Sequence, residues 1–254
     1  MRFGWMRVFL CGVAGIVCAL SAQVSLFAQG RAVAVPFVGC KSDGQTGPLE
    51  PPKGKSQTVG VSQQAARRLA YYVTNQGLGV LAPRGWYCFG RYGSSGDDLF
   101  VSAQRIDTAN ILALEPREFA GPAIWISRTS GQGSGRTQLA EVIAAAFPKY
   151  KSYVTGVIEE FGQEPSSFPL GPYSKDTMTY KGETVVEYRT PGQTDGLGTH
   201  LWRENPGPVD GVVILDEQSF DLLFLSVRLP SDLSDLAPAI MSQVEREASQ
   251  LQLR

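Results

Sequence analysis

The hexapeptide Gly93-Ser94-Ser95-Gly96-Asp97-Asp98 sets two hydroxyls beside two carboxylates, the chain's nearest approach to a catalytic cluster. Acyl transfer from Ser94 or Ser95 would also need a base, and the only histidine, His200, lies far along the chain. A triad of one of these serines with His200 and Asp97 or Asp98 therefore requires two distant hairpins to meet. The hexapeptide also lacks the Gly-x-Ser-x-Gly spacing that presents a serine at a strained strand-to-helix turn. Glycoside cleavage needs no histidine, only two carboxyl groups flanking one bond, so Asp97-Asp98, Glu159-Glu160 and Asp216-Glu217 are its candidates. Glu159 and Glu160 fall on the polar side of a predicted helix, and the other two pairs fall at turns, where solvated charge is the ordinary reading.

Residues 130–137, SGQGSGRT, follow a predicted strand and open a predicted helix, as a phosphate-cradling loop does. Ser130 stands where that motif has its first glycine, and Arg136 where it has lysine. The expectation is therefore not nucleotide hydrolysis but anion binding, of sulfate or phosphate, by Gly133, Ser134, Gly135 and Arg136. The aromatic residues Trp86, Tyr87, Tyr92, Trp125, Tyr188 and Trp202 are either core or a stacking platform for a ligand. Arg84, Trp86, Arg91 and Asp98, clustered around one predicted hairpin, are the expected ligand-binding set. There is no His-Glu-x-x-His, and the two cysteines outside the leader are read as paired, so neither a metal nor a cofactor is expected.

These residues depend on the elements that carry them. Residues 80–101 read as a β-hairpin: Trp86, Tyr87, Phe89 and Tyr92 favour a pleated strand, Gly93 to Gly96 supply the turn, and the sheet resumes at Leu99. Pro83 and Gly85 mark its entrance. Upstream, residues 31–60 are polar, aperiodic and rich in Gly and Pro, which predicts an irregular arm. Ser62 caps a predicted helix running to about Gln76. A strand over 124–128 follows the hairpin, then a helix over 137–147 stopped by Pro148. A second helix carries Tyr150, Tyr153, Val154, Val157, Ile158 and Phe161 on one stripe. Gly156 within it costs helix propensity and so predicts a close neighbour.

After a Pro/Gly/Ser-rich connection at 163–176, the one candidate internal boundary, come predicted strands over 178–180, 184–190, 199–204, 211–215 and 221–228. Their short connections imply antiparallel pairing. A final helix over 233–251 presents Ala237, Ile240, Met241, Val244, Ala248 and Leu251 to one sheet face. The fold class is α+β, antiparallel sheet packed against grouped helices, with residues 61–254 forming a single domain.

At 254 residues the chain carries 23 basic and 24 acidic residues with no long block of either sign, which argues against nucleic acid as a partner. Residues 1–30 pair Arg2 and Arg7 with a continuous apolar run and then Ala28-Gln29-Gly30, the pattern of a cleaved secretory signal peptide. An uncleaved anchor is the alternative; after cleavage no stable membrane span is expected. Export leaves Cys40 and Cys88, and an even pair in an oxidising compartment is most simply a disulfide, with two buried thiols as the other reading. Closing that loop would stabilise the fold by about 4 kcal/mol on the chain-entropy model.

Three segments, GCKSDGQTGP, VLAPRGWYCFGRYGSSG and SGRTQLAEVIAAAFP, resemble recurrent stretches of a family of uncharacterised exported bacterial proteins. The resemblance implies export, to the periplasm or the medium, and brings no activity with it. The later strands and closing helix are similar in order to PsbP-like antiparallel α/β sandwiches. The expected function is non-enzymatic binding of a small molecule or an envelope protein. The alternative is a hydrolase on the Gly93 to Asp98 loop, using His200 or paired carboxylates.

Overall fold

The computed structural model describes residues 32–112, 119, 121–168, 173, 175–199 and 206–252. In chain order the first elements are β1 (Ala32–Gly39), β2 (Ser42–Gly44), β3 (Ser56–Gly60), α1 (Gln63–Arg68), β4 (Leu69–Val73) and β5 (Gly79–Pro83). The hairpin β6 (Tyr87–Gly93) and β7 (Gly96–Ser102) follows, then α2 (Thr108–Ile111) and β8 (Ala123–Thr129). Two helices, α3 (Arg136–Ala146) and α4 (Lys151–Phe161), precede β9 (Thr177–Tyr180), β10 (Val185–Thr190), β11 (Val209–Leu215) and β12 (Leu222–Arg228). A 3-10 turn, Ser231–Leu236, leads into α5 (Ala237–Gln252). The strands form a small sheet, β3-β1-β4-β5, and a long one, β2-β6-β7-β8-β12-β11-β10-β9. The fold is α+β. Pairing is antiparallel except between β1 and β4 and between β2 and β6.

Alternation along each strand divides the long sheet's side chains between its two faces. Leu99 and Val101, Ile124 and Ile126, Leu225 and Val227, and Val212 and Ile214 turn to one face, where the small sheet and Ile240, Val244 and Ala248 of α5 close the larger core. Phe224, Val213, Val186 and Tyr188 turn to the other, beneath α3 and α4. Phe100 and Phe89 share that second face further along, under Ile111 and Phe119.

Several expectations are corrected. Residues 32–60 are not an irregular arm throughout: Val33, Val35 and Phe37 alternate through β1, which is interior to the small sheet, and the chain without helix or strand lies chiefly between β2 and β3. Pro36 stands where β1 exchanges β3 for β4 as its partner, so its missing N–H breaks no continuous ladder. The helix begun at Ser62, whose Oγ accepts the Ala65 N–H at 3.1 Å, stops at Arg68. LAYYV is a strand instead, buried along its whole length and therefore without the alternation that would reveal it. Val80 to Pro83 join that small sheet, not the hairpin, and the chain crosses to the long sheet through Gly85 at φ +80°. Gly156 is exposed and nothing lies within 4 Å of the place its Cβ would take.

The disulfide Cys40–Cys88 is present, with the two Cα atoms 5.5 Å apart. It ties the end of β1 to β6, and so one sheet to the other. The leader, His200, Trp202, nearly all of the expected strand at 199–204 and part of the 163–176 connection lie outside the described residues. Among the described residues no helix is long and apolar enough to cross a membrane.

Candidate functional site

Register aligns Arg91, Asp98, Ser127 and Phe224 as one row across β6, β7, β8 and β12. Directly opposed residues share a face, so all four project to the side covered by α3 and α4. Trp125 and Thr129 flank Ser127 on that face, and α3 supplies Gln138, Glu141 and Val142 as a wall. Gly93, Gly96 and Ser127 contribute little side-chain volume between these larger groups. The result is a cleft of about 450 Å³, within the range of roughly 300–1,000 Å³ common for small-molecule sites.

Its polar groups are held firmly. Arg91 donates from Nε and Nη2 to Asp98 Oδ2 at 2.9 and 2.6 Å, and its guanidinium lies 5.7 Å from the Phe100 ring centroid. Trp125 donates from Nε1 to Asp98 Oδ1 at 3.0 Å. The indole is further fixed between Phe100 and Phe224, with centroids at 6.5 and 5.1 Å. Ser127 is only 5 % exposed, and its hydroxyl, which opens on the cleft, has no hydrogen-bond partner among the described residues. Glu141 also makes no ion pair or hydrogen bond among them, and desolvation pushes its carboxyl above the usual range.

Asp97 illustrates why neighbouring acids do not converge on a strand. It points to the opposite face from Asp98 and receives Arg128 Nε and Nη2 at 2.9 and 3.0 Å. At 7 % exposure, burial, helped by the neighbouring Asp98 charge, pushes its carboxyl up by more than Arg128 pulls it down. The other acid pairs are engaged separately. Glu160 accepts from Arg136 at 2.7 Å, Asp216 accepts from Gln218 N–H and Ser219 Oγ at 3.0 Å each, and Glu217 meets Tyr150.

The expected site residues thus separate. Arg91 and Asp98 meet in the cleft. Arg84 and Trp86 belong to the opposite end of β6, where Arg84 donates to the Leu69 and Ala66 carbonyls at 3.0 and 2.7 Å, closing the end of α1, and Trp86 packs on the larger core. Ser94 Oγ sits 2.9 Å from Ser134 Oγ and accepts from Gln45 Nε2 at 3.2 Å, while the Ser95 carbonyl accepts the Ser130 N–H at 2.9 Å. The hairpin turn therefore rests on the glycine-rich loop.

Two donors of that loop already meet internal carboxylates. The Gly131 N–H reaches Asp221 Oδ1 at 2.9 Å, and Arg136 both pairs with Glu160 and lies over the Phe161 ring. Gly135 is buried. Among the described aromatic candidates, the Trp125 ring lines the cleft, while Tyr92 turns to the opposite face, its hydroxyl donating to the Gly47 carbonyl at 2.5 Å. Tyr188 is buried with its hydroxyl donating to the Leu225 carbonyl at 2.9 Å, and Tyr87 lies exposed beneath Arg105. No platform of stacked rings assembles from them.

Ser127 and Glu141 were not singled out in sequence. The signal available for Ser127 was polar alternation at Ser127 and Thr129 in a strand otherwise read as buried; a lone acid on a helix gave none for Glu141. Among the described residues no group of three or more His, Cys, Asp or Glu side chains is placed to hold a metal ion. Comparison with known proteins finds no matching family model, no matching curated protein and no matching solved structure.

Proposed function

We propose that this is an exported, disulfide-closed binding protein that holds a small organic ligand in the cleft over Ser127. The observation that carries this reading is the Ser127 hydroxyl, on a residue 5 % exposed, opening without a hydrogen-bond partner among the described residues onto the floor of a cleft between Trp125 and Phe224. Elsewhere this sheet face is filled by large side chains under its helices, as close packing demands. Here volume is left open beside polar groups already fixed in place: Asp98 is locked by three donors and Trp125 by two ring contacts. Such pre-organisation lowers the ordering cost of binding. Export is supported by the leader pattern in residues 1–30 and by the Cys40–Cys88 bridge.

A small-molecule library screened by NMR on the indole N–H of Trp125 tests the site. Binders should shift that resonance, and Ser127→Leu, which fills the floor, should abolish the shift while the protein stays folded. Absence of any such binder, or binding undisturbed by the filled cleft, overturns the reading. Cell fractionation with mass analysis of the mature N-terminus tests export separately.

A further inference from the structure

The hydrogen-bonding inventory of the cleft is one-sided. Its one guanidinium, that of Arg91, is engaged by Asp98, and Arg128 is held by the two oxygens of Asp97 on the opposite face of the sheet. Open acceptors remain. Asp98 Oδ1 receives only the Trp125 N–H and keeps capacity for another donor, the Ser127 hydroxyl is free, and no cation reaches Glu141 among the described residues. On the cleft face one cation, Arg91, thus stands against two carboxylates, Asp98 and Glu141. Toward Tyr173 the field has the same sign, because Asp176 and Asp195 act on that phenol together with Glu141. The apolar part of the lining is Trp125, Phe224, Leu222 and Val142.

Resting on the reading of the cleft as a small-ligand site, we infer that its ligand is an organic cation, a protonated amine on a flat or aliphatic body. An ammonium group offers three N–H donors and no acceptor, matching Asp98 Oδ1, Ser127 Oγ and Glu141 as the acceptors left open. The body packs against Trp125 and Phe224, whose ring faces also favour a cation. A carboxylate ligand would find no free cation among the described residues of the cleft and would meet the excess of negative charge there. A neutral alcohol supplies a single donor and leaves the other acceptors unmatched.

Benzylamine, benzyl alcohol and benzoate share one ring and differ in headgroup, so titrating each into the mature protein at neutral pH isolates the inference. Followed on the Trp125 indole N–H, benzylamine should bind at least about tenfold more tightly than benzyl alcohol, the difference between a charge-assisted and a neutral hydrogen bond. Benzoate should bind most weakly. Glu141→Gln should bring the amine close to the alcohol, and Ser127→Ala should weaken the amine while leaving the ring contacts intact. Alcohol or benzoate binding as well as the amine, an unaltered preference in Glu141→Gln, or library binders at Trp125 that carry no cationic group would overturn the ligand class and leave the cleft reading standing. Silence of Trp125 toward all three probes and toward the library would overturn both.

Discussion

Asp98 and Asp97 are adjacent in sequence, similarly shielded, and unequal in what they hold. The Asp98 side chain is 14 % exposed and accepts from Arg91 twice and from Trp125 once, so Asp98→Ala strands a guanidinium and an indole N–H together. Leaving such donors without acceptors is worth about 2 kcal/mol of stability, readable as a fall in the urea midpoint. Asp97 holds only Arg128, which is nearly half exposed and can rehydrate. Burial and the adjacent Asp98 charge together disfavour the Asp97 charge by more than Arg128 compensates, so removing it relieves part of that cost. Asp97→Ala should therefore lose less than about 1 kcal/mol. An equal loss in the two variants would contradict this account. The sequence displayed both acids but not their divergence, which comes from strand alternation once the turn is known to be the two residues Ser94 and Ser95. Ser127 was illegible for another reason: a small hydroxyl is commonplace in a strand, and only the cross-strand row reveals what surrounds it.

Elements with a strong period were readable, and elements buried on every side were not. Tyr153, Val154, Val157 and Ile158 of the α4 stripe pack on the core and Gly162 ends the helix as expected, whereas Phe161 is exposed and Tyr150 lies in the turn before the helix. In sequence β4 reads as the continuation of a helix, since complete burial removes the alternation that distinguishes the two. The free side of α4 also decides what its glycines do. Gly156 lies mid-helix with open space about its Cβ position, so Gly156→Ala should stabilise the protein by about 0.5–1 kcal/mol, through helix propensity and a stiffer unfolded chain. Gly162, one residue beyond the helix, has φ +58° and donates its N–H back to Glu159 and Ile158. There alanine must adopt a left-handed conformation, and Gly162→Ala should cost about 1 kcal/mol. Thermal melts of the two variants should move in opposite directions, and a loss in Gly156→Ala would show that its face is covered after all.

Across the whole molecule, two sheets share one core, the Cys40–Cys88 bridge spans them, and α5 closes the gap. That seam holds a carboxyl of its own. Glu247 of α5 accepts from Gln243 Nε2 at 2.7 Å and from the Tyr71 hydroxyl of β4 at 3.0 Å, yet burial outweighs these bonds and pushes its pKa up. Asp97 and Glu141 are shifted in the same direction, also chiefly by desolvation. An acid whose folded pKa exceeds its unfolded value binds protons more readily in the native state. Stability then rises as pH falls from neutral through the raised values and levels off once the unfolded chain's carboxyls protonate in their ordinary range near 4. The melting temperature should therefore be higher at about pH 5 than at pH 7.5, against the usual pattern in which carboxylates held by salt bridges make mild acid harmful. Glu247→Gln removes the titration but keeps acceptor and donor at the seam, so the slope between those pH values should flatten while the fold persists. A melting temperature that climbs from pH 5 to pH 7.5, or a slope indifferent to Glu247→Gln, would mean that water reaches these carboxyls and that the sheets do not close over them as described.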